Sequence, residues 1–177
     1  MTASLAGDFD AAPTANPIDH VEQVATHREW AFDRRSDQEV AIEVPGQWCD
    51  LGLFFAYSED LSALHFSAAF DLRVPKGRRQ AVYELLAHLN EKLWMGHFAI
   101  WIEEGIPMFR HTVNLIPGAV VGAQPDGIGQ GLPLEDLVDV AISECERFYP
   151  AFQFVIWGGK TAEDAIAAAM LDTVGEA

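Results

Sequence analysis

Basic side chains are scarce in this chain. Its 177 residues carry 11 Lys and Arg against 27 Asp and Glu, a formal charge of −16. Phosphate backbones demand Lys/Arg patches, and anionic membrane surfaces attract polybasic segments, so the composition argues against nucleic acid and against a membrane as partner. Cysteine is scarcer still. Cys49 and Cys145 are the only two, which is no disulfide framework and points to free thiols in a reducing compartment. Long apolar runs are missing: the most apolar short stretch, Ala151 to Trp157, is far below the roughly 20 residues that span a bilayer. The opening MTASLAGDFDAAP places acids where a secretory signal needs a basic segment. The expectation is a cytoplasmic protein.

Catalytic and ligand-binding motifs are also lacking. Gly159-Lys160-Thr161 has the ending of a phosphate loop, but Phe154 stands where such a loop needs its first glycine. Gly127-Ile128-Gly129-Gln130-Gly131 precedes an expected helix, whose N-terminus would attract anions. That stretch holds no Lys or Arg, and Asp126, Glu135 and Asp136 flank it. The six histidines, at 20, 27, 65, 88, 97 and 111, show no metal-site spacing such as HExxH. Glu103 and Glu104 are adjacent in an expected strand and point to opposite faces, so they cannot work as an acid and base pair. Cys49 is expected to point inward, which raises a thiol pKa rather than activating it. No Gly-x-Ser-x-Gly elbow is present. The expectation is a non-enzyme with no cofactor and no metal.

What is there is a well-supplied core. Half the residues are apolar and 11% are aromatic, and a domain of this length buries roughly 70% of its unfolded surface. Residues 1–15 are small, polar and proline-marked, and are expected to form a disordered leader; residues 16–177 read as one domain. Asn16 as N-cap, Pro17 at the first helical position and Asp19 near the positive end mark the first helix, with Ile18, Val21 and Val24 or Ala25 as its apolar stripe. The period then changes to two. Residues 30–35 and 39–44 read as short strands. Cys49, Leu51, Leu53, Phe55 and Tyr57 alternate with Trp48, Asp50, Gly52 and Phe54, and Leu64, Phe66, Ala68, Phe70, Leu72 and Val74 alternate with polar or small residues. Such alternation marks antiparallel strands with one buried face.

A second helix is expected from Lys76 to Met95, closed by Gly96, with Val82, Leu85, Leu86, Leu89 and Leu93 facing the core. A hairpin follows, with Phe98, Ile100, Ile102 and Phe109 inward about a two-residue Glu104-Gly105 turn. Residues 117–133 form a Gly/Pro-rich loop. A third helix begins near Pro133, and its spacing continues past Pro150 as a kinked or restarted helix. Thr161 to Asp164 reads as a capping box variant opening a fourth. The fold class is α+β: an antiparallel sheet of five to six strands with helices packed against it, in the order α-β(3-4)-α-β-β-α(α).

Two surfaces are candidates for binding. The cluster Arg73, Lys76, Arg78 and Arg79 sits at a helix start, where cations oppose the dipole; a solvated cluster is the plain reading, and docking on the chain's own acidic helices or on an acidic partner is the alternative. The second follows from pairing the hairpin about Glu104-Gly105, which sets Trp101 opposite Met108, Ala99 opposite Arg110 and His97 opposite Thr112 on the outer face. By the same parity Trp48 and Phe54 fall on that face. Trp48, Phe54, Trp101, Met108 and Arg110 have the composition of a protein interface, unless the chain's own helices cover them.

The segments Arg78 through Leu89-Asn90 to Leu93-Trp94-Met95-Gly96-His97-Phe98, then Gly105 and Phe109-Arg110-His111, resemble the YbjN family. So do Glu144-Cys145-Glu146-Arg147-Phe148-Tyr149-Pro150-Ala151-Phe152, Gly158-Gly159 and Glu163-Asp164-Ala165. That family is bacterial and cytoplasmic, is described as a sensory-transduction regulator, and has a fold similar to that of type III secretion chaperones. The resemblance favours a non-enzymatic regulatory or chaperone-like protein–protein interaction module and assigns no catalytic residues; the outer sheet face around Trp101 is where a second copy, as a homodimer, or a foreign protein is expected to bind. The alternative is a small-molecule sensor with its ligand beneath the 117–133 loop.

Overall fold

A computed structural model describes residues 16–115 and 134–172; the expected leader and the 117–133 loop lie outside them. The first helix, α1 (Pro17–His27), starts as the sequence dictates, with the Asn16 side chain accepting the Ile18 N–H at 2.9 Å. Its stripe of Ile18, Val21, Val24 and Ala25 is buried.

Four strands follow as an antiparallel meander: β1 (Ala31–Ser36), β2 (Glu39–Val44), β3 (Leu51–Ser58) and β4 (Ala63–Phe70). A 3-10 turn at Lys76–Arg78 leads into α2 (Arg79–Lys92), then β5 (His97–Trp101) and β6 (Ile106–Asn114) form a hairpin. The six strands make one sheet in the order β1-β2-β3-β4-β6-β5, so β6 rather than β5 docks on β4. The last elements are α3 (Leu134–Ile156) and α4 (Ala162–Asp172). The α+β class, the sheet size and the element order match the sequence reading.

All four helices among the described residues lie on one face of the sheet. α1 packs on β1, β2 and β3, α3 on β4 and β6, α2 on β5, and α4 on α2 and α3. One core cluster joins their stripes to the inward residues of the strands, including Leu53, Phe55, Leu64, Phe66, Phe98 and Phe109. Phe98 is its aromatic hub, meeting Phe109, Phe148 and Phe152 edge-on at 5.6, 5.9 and 5.7 Å. Such pairs add about 0.5–1.5 kcal/mol each beyond their buried area.

Four local expectations need correction. α2 ends at Lys92, not Met95, because Leu93 turns extended (φ −84°, ψ 133°) to bring the chain back for β5. Gly96 is therefore not a helix cap; its φ of +67° and the Phe109 ring packed where a side chain would go make it a tight crossing point. The hairpin loop is four residues, Ile102 to Gly105, and Trp101 pairs with Ile106, Ala99 with Met108 and His97 with Arg110. That is two residues away from the expected register, and since side chains alternate with a period of two, every strand residue keeps its expected face. Ile102 has left the strand and is exposed instead of inward.

α3 carries Pro150 within its span, in keeping with a helical rather than extended continuation. An interior proline costs about 3 kcal/mol, and the burial of Phe148, Tyr149, Ala151 and Phe152 around it offsets that cost. Thr161 caps α4 by accepting the Asp164 N–H on its hydroxyl at 3.2 Å.

Candidate functional site

With every described helix on one side, the opposite face of the sheet is left uncovered by the described residues. Its shape follows from the register. One row across the strands reads Ala31, Glu43, Gly52, Ala69, Met108, Ala99. The next reads Asp33, Ala41, Phe54, Ser67, Arg110, His97. Trp101 and Ile106 flank the first row on its other side. Small side chains between larger ones make a depression, and it forms a groove of 780 Å³ lined by residues from all six strands. A second hollow of 520 Å³ adjoins it, between Trp101, Met108, Glu103, Arg110 and His65.

Trp101 is 52% exposed and Phe54 39% exposed on this face. The Arg35 guanidinium lies over the Phe54 ring at 5.4 Å, a cation–π contact. Met108 and Arg110 are half-buried between their neighbours. Arg110 points at His65, with Nη2 3.2 Å and Nε 3.4 Å from Nε2, and His65 Nδ1 lies 3.0 Å from the Thr112 hydroxyl. A guanidinium only donates, so His65 Nε2 must accept and its proton sits on Nδ1. Burial first, then the Arg110 charge and the neighbouring His97 and His111, hold the His65 pKa below its ordinary value. The ring is kept neutral.

Four carboxylates, Asp33, Glu43, Asp50 and Asp71, line the groove beside the one basic side chain Arg35. None of the four takes part in an ion pair among the described residues.

Phe54, Trp101, Met108 and Arg110 are thus brought together on the outer face. Trp48 is not. β2 ends at Val44 and β3 begins only at Leu51, so strand alternation does not reach position 48. Its indole stacks instead on Tyr149 of α3, centroids 6.5 Å apart and planes 13° from parallel, on the helix side. Cys49 has its thiol pushed up by burial, and so, more strongly, does Cys145.

The basic cluster is largely consumed within the chain. Arg78 donates from Nε to the Ile156 carbonyl at 3.1 Å and from Nη2 to that of Val155. It therefore caps the negative end of α3, where a cation is favoured. Arg79 donates to the Ile102 carbonyl at 2.5 Å and pins the hairpin loop. Arg73 pairs with Glu104 at 2.7 Å on the surface, and only Lys76 has no such role among the described residues. Of the readings the sequence offers for this cluster, contact within the chain describes Arg73, Arg78 and Arg79. The targets of Arg78 and Arg79 are backbone carbonyls 23 to 78 residues along the chain, which leave no mark in the sequence.

The groove itself was not legible beforehand, since its floor comes from residues on separate strands that only the full register aligns. The ligand expected beneath the 117–133 loop falls outside the described residues. No helix among them is long and apolar enough to cross a membrane.

No curated protein and no solved structure matches the chain. Residues 17–154 match the model of the YbjN family, whose description reads "Putative bacterial sensory transduction regulator". The match takes in every described element from α1 through α3 except the last two residues of α3, Val155 and Ile156, and on that ground the chain belongs to the YbjN family.

Proposed function

We propose that this YbjN-family chain is a non-enzymatic regulatory module that holds a protein partner, in the manner of a chaperone, on the open face of its sheet. The observation that carries the reading is Trp101. A half-exposed indole stands at the edge of a 780 Å³ groove, beside Met108 and near Arg110 and Phe54, on the face turned away from every described helix. Aromatic, methionine and arginine side chains around an apolar floor are what protein interfaces enrich. The family's regulatory description and its resemblance to secretion chaperones support the same reading. The cytoplasm is the compartment assigned with it, in line with two free cysteines. The partner is a foreign protein or a second copy.

The test compares wild type with Trp101→Glu. The proposal expects the wild type to capture a specific partner from its native cells, or to dimerise in light scattering, and the variant to lose that contact with its melting temperature unchanged. A monomeric wild type whose co-purifying proteins are the same as those of Trp101→Glu overturns it.

A further inference from the structure

Resting on that reading, the groove also specifies the kind of segment it receives. It crosses all six strands, so at about 4.8 Å per strand spacing it runs about 24 Å across the sheet. β2, β3, β4 and β6 each have a neighbour on both sides, so between the edge strands β1 and β5 the floor offers no unpaired backbone. An extended peptide lying there would leave its own N–H and C=O groups without partners. A helix brings its backbone bonds with it, and about 16 residues at 1.5 Å rise fill that length.

Charge selects among helices. Asp33, Glu43, Asp50 and Asp71 line the groove without ion-pair partners among the described residues, and the whole chain carries −16. A second copy docked here by a two-fold axis would set these acids against themselves. We infer that the groove receives an amphipathic helix of a foreign partner, its apolar stripe laid on the small-residue floor and its flanking Lys and Arg side chains meeting the acids.

The probe is a fluorescein-labelled 16-residue Leu/Lys peptide with leucines at helical spacing, titrated by anisotropy and compared with a Leu/Glu peptide of the same stripe. Ala69→Trp fills the floor without changing charge; Asp33→Lys with Glu43→Lys reverses two exposed charges and leaves the floor open. Each change is expected to weaken Leu/Lys binding about tenfold or more, and the charge reversal to flatten its salt dependence. The Leu/Glu peptide is expected not to bind.

Equal binding to wild type and Ala69→Trp means mere charge attraction and overturns the inference. So does equal binding of the Leu/Glu peptide. Should Ala69→Trp fail to fold, unchanged binding by the charge-reversed pair overturns it alone. Self-association that the Leu/Lys peptide does not displace makes the occupant a second copy and likewise overturns it. If Trp101→Glu abolishes native partner capture while the Leu/Lys peptide stays unbound, the docking face stands and the helical occupant falls; if capture is also unmoved, both fall.

Discussion

The side chain of Asn90, in the last turn of α2, hydrogen-bonds both backbone polar groups of Phe98. Its Nδ2 donates to the Phe98 carbonyl at 3.0 Å and its Oδ1 accepts the Phe98 N–H at 2.7 Å. β5 is an edge strand, so the amide supplies the partner that a further strand would have given. Asn90→Ala leaves two partly buried backbone groups unsatisfied, a cost of about 2–4 kcal/mol at about 1–2 per group. Urea denaturation checks the magnitude, and hydrogen exchange should show the Phe98 amide losing protection. Asn90→Asp, which keeps only the acceptor, should recover part of the loss.

Arg78 ties the start of α2 to the end of α3 through the Val155 and Ile156 carbonyls. Removing it as Arg78→Ala should destabilise the fold by about 1.5–3 kcal/mol, the range for hydrogen bonds from a charged group. Arg78→Lys should restore only a fraction, because an ammonium cannot span two carbonyls with a planar fork. Chemical denaturation of the three proteins decides it.

Gly96→Ala combines two penalties: a left-handed backbone at φ +67° and a methyl group driven into the Phe109 ring. About 2–4 kcal/mol of destabilisation is expected. A thermal melt within a degree of wild type would contradict it.

Histidine titration gives the stability curve a direction. Burial lowers the pKa of His65, helped by Arg110, and burial also lowers that of His111, helped by His97. The folded state then binds fewer protons than the unfolded chain, so stability rises with pH in this window. The contribution is complete above the ordinary histidine value of about 6.5 and is lost as pH falls from there through the depressed values. Melts between pH 7.5 and 5 should show this loss, and His65→Gln should reduce its slope. At the lower pH a protonated His65 can no longer accept from Arg110, which frees that guanidinium on the outer face.

Much of the fold could be read from local pattern. Asn16-Pro17 marks a helix start, the stripes of α1, α2 and α3 are spaced for one buried face, and the alternation through β3 and β4 fixes which side chains point inward. Even the misread hairpin kept its faces, because Trp101 and Met108 stay on the outer side under a two-residue slip. Strand parity does not place Trp48, because the residues between Val44 and Leu51 are not strand. A glycine after a helical stripe has the local meaning of a cap, whereas the constraint on Gly96 comes from Phe109 across the hairpin. Arg78 and Arg79 looked free because their acceptors are backbone carbonyls. The groove needed the pairing of β4 with β6, a contact no local pattern announces.

That pairing also imposes an order on assembly during synthesis. The β1–β4 meander and the β5–β6 hairpin each close between neighbours in sequence, but Ala63 waits for Asn114 before β4 gains its second partner. β4 is the most buried strand by pattern, with Leu64, Phe66, Ala68 and Phe70 all inward, and until β6 leaves the ribosome one of its edges is bare for some seconds. Bare apolar edges recruit other chains. Stalling or truncation between Phe70 and Ile106 thus turns the sheet's central strand into its stickiest.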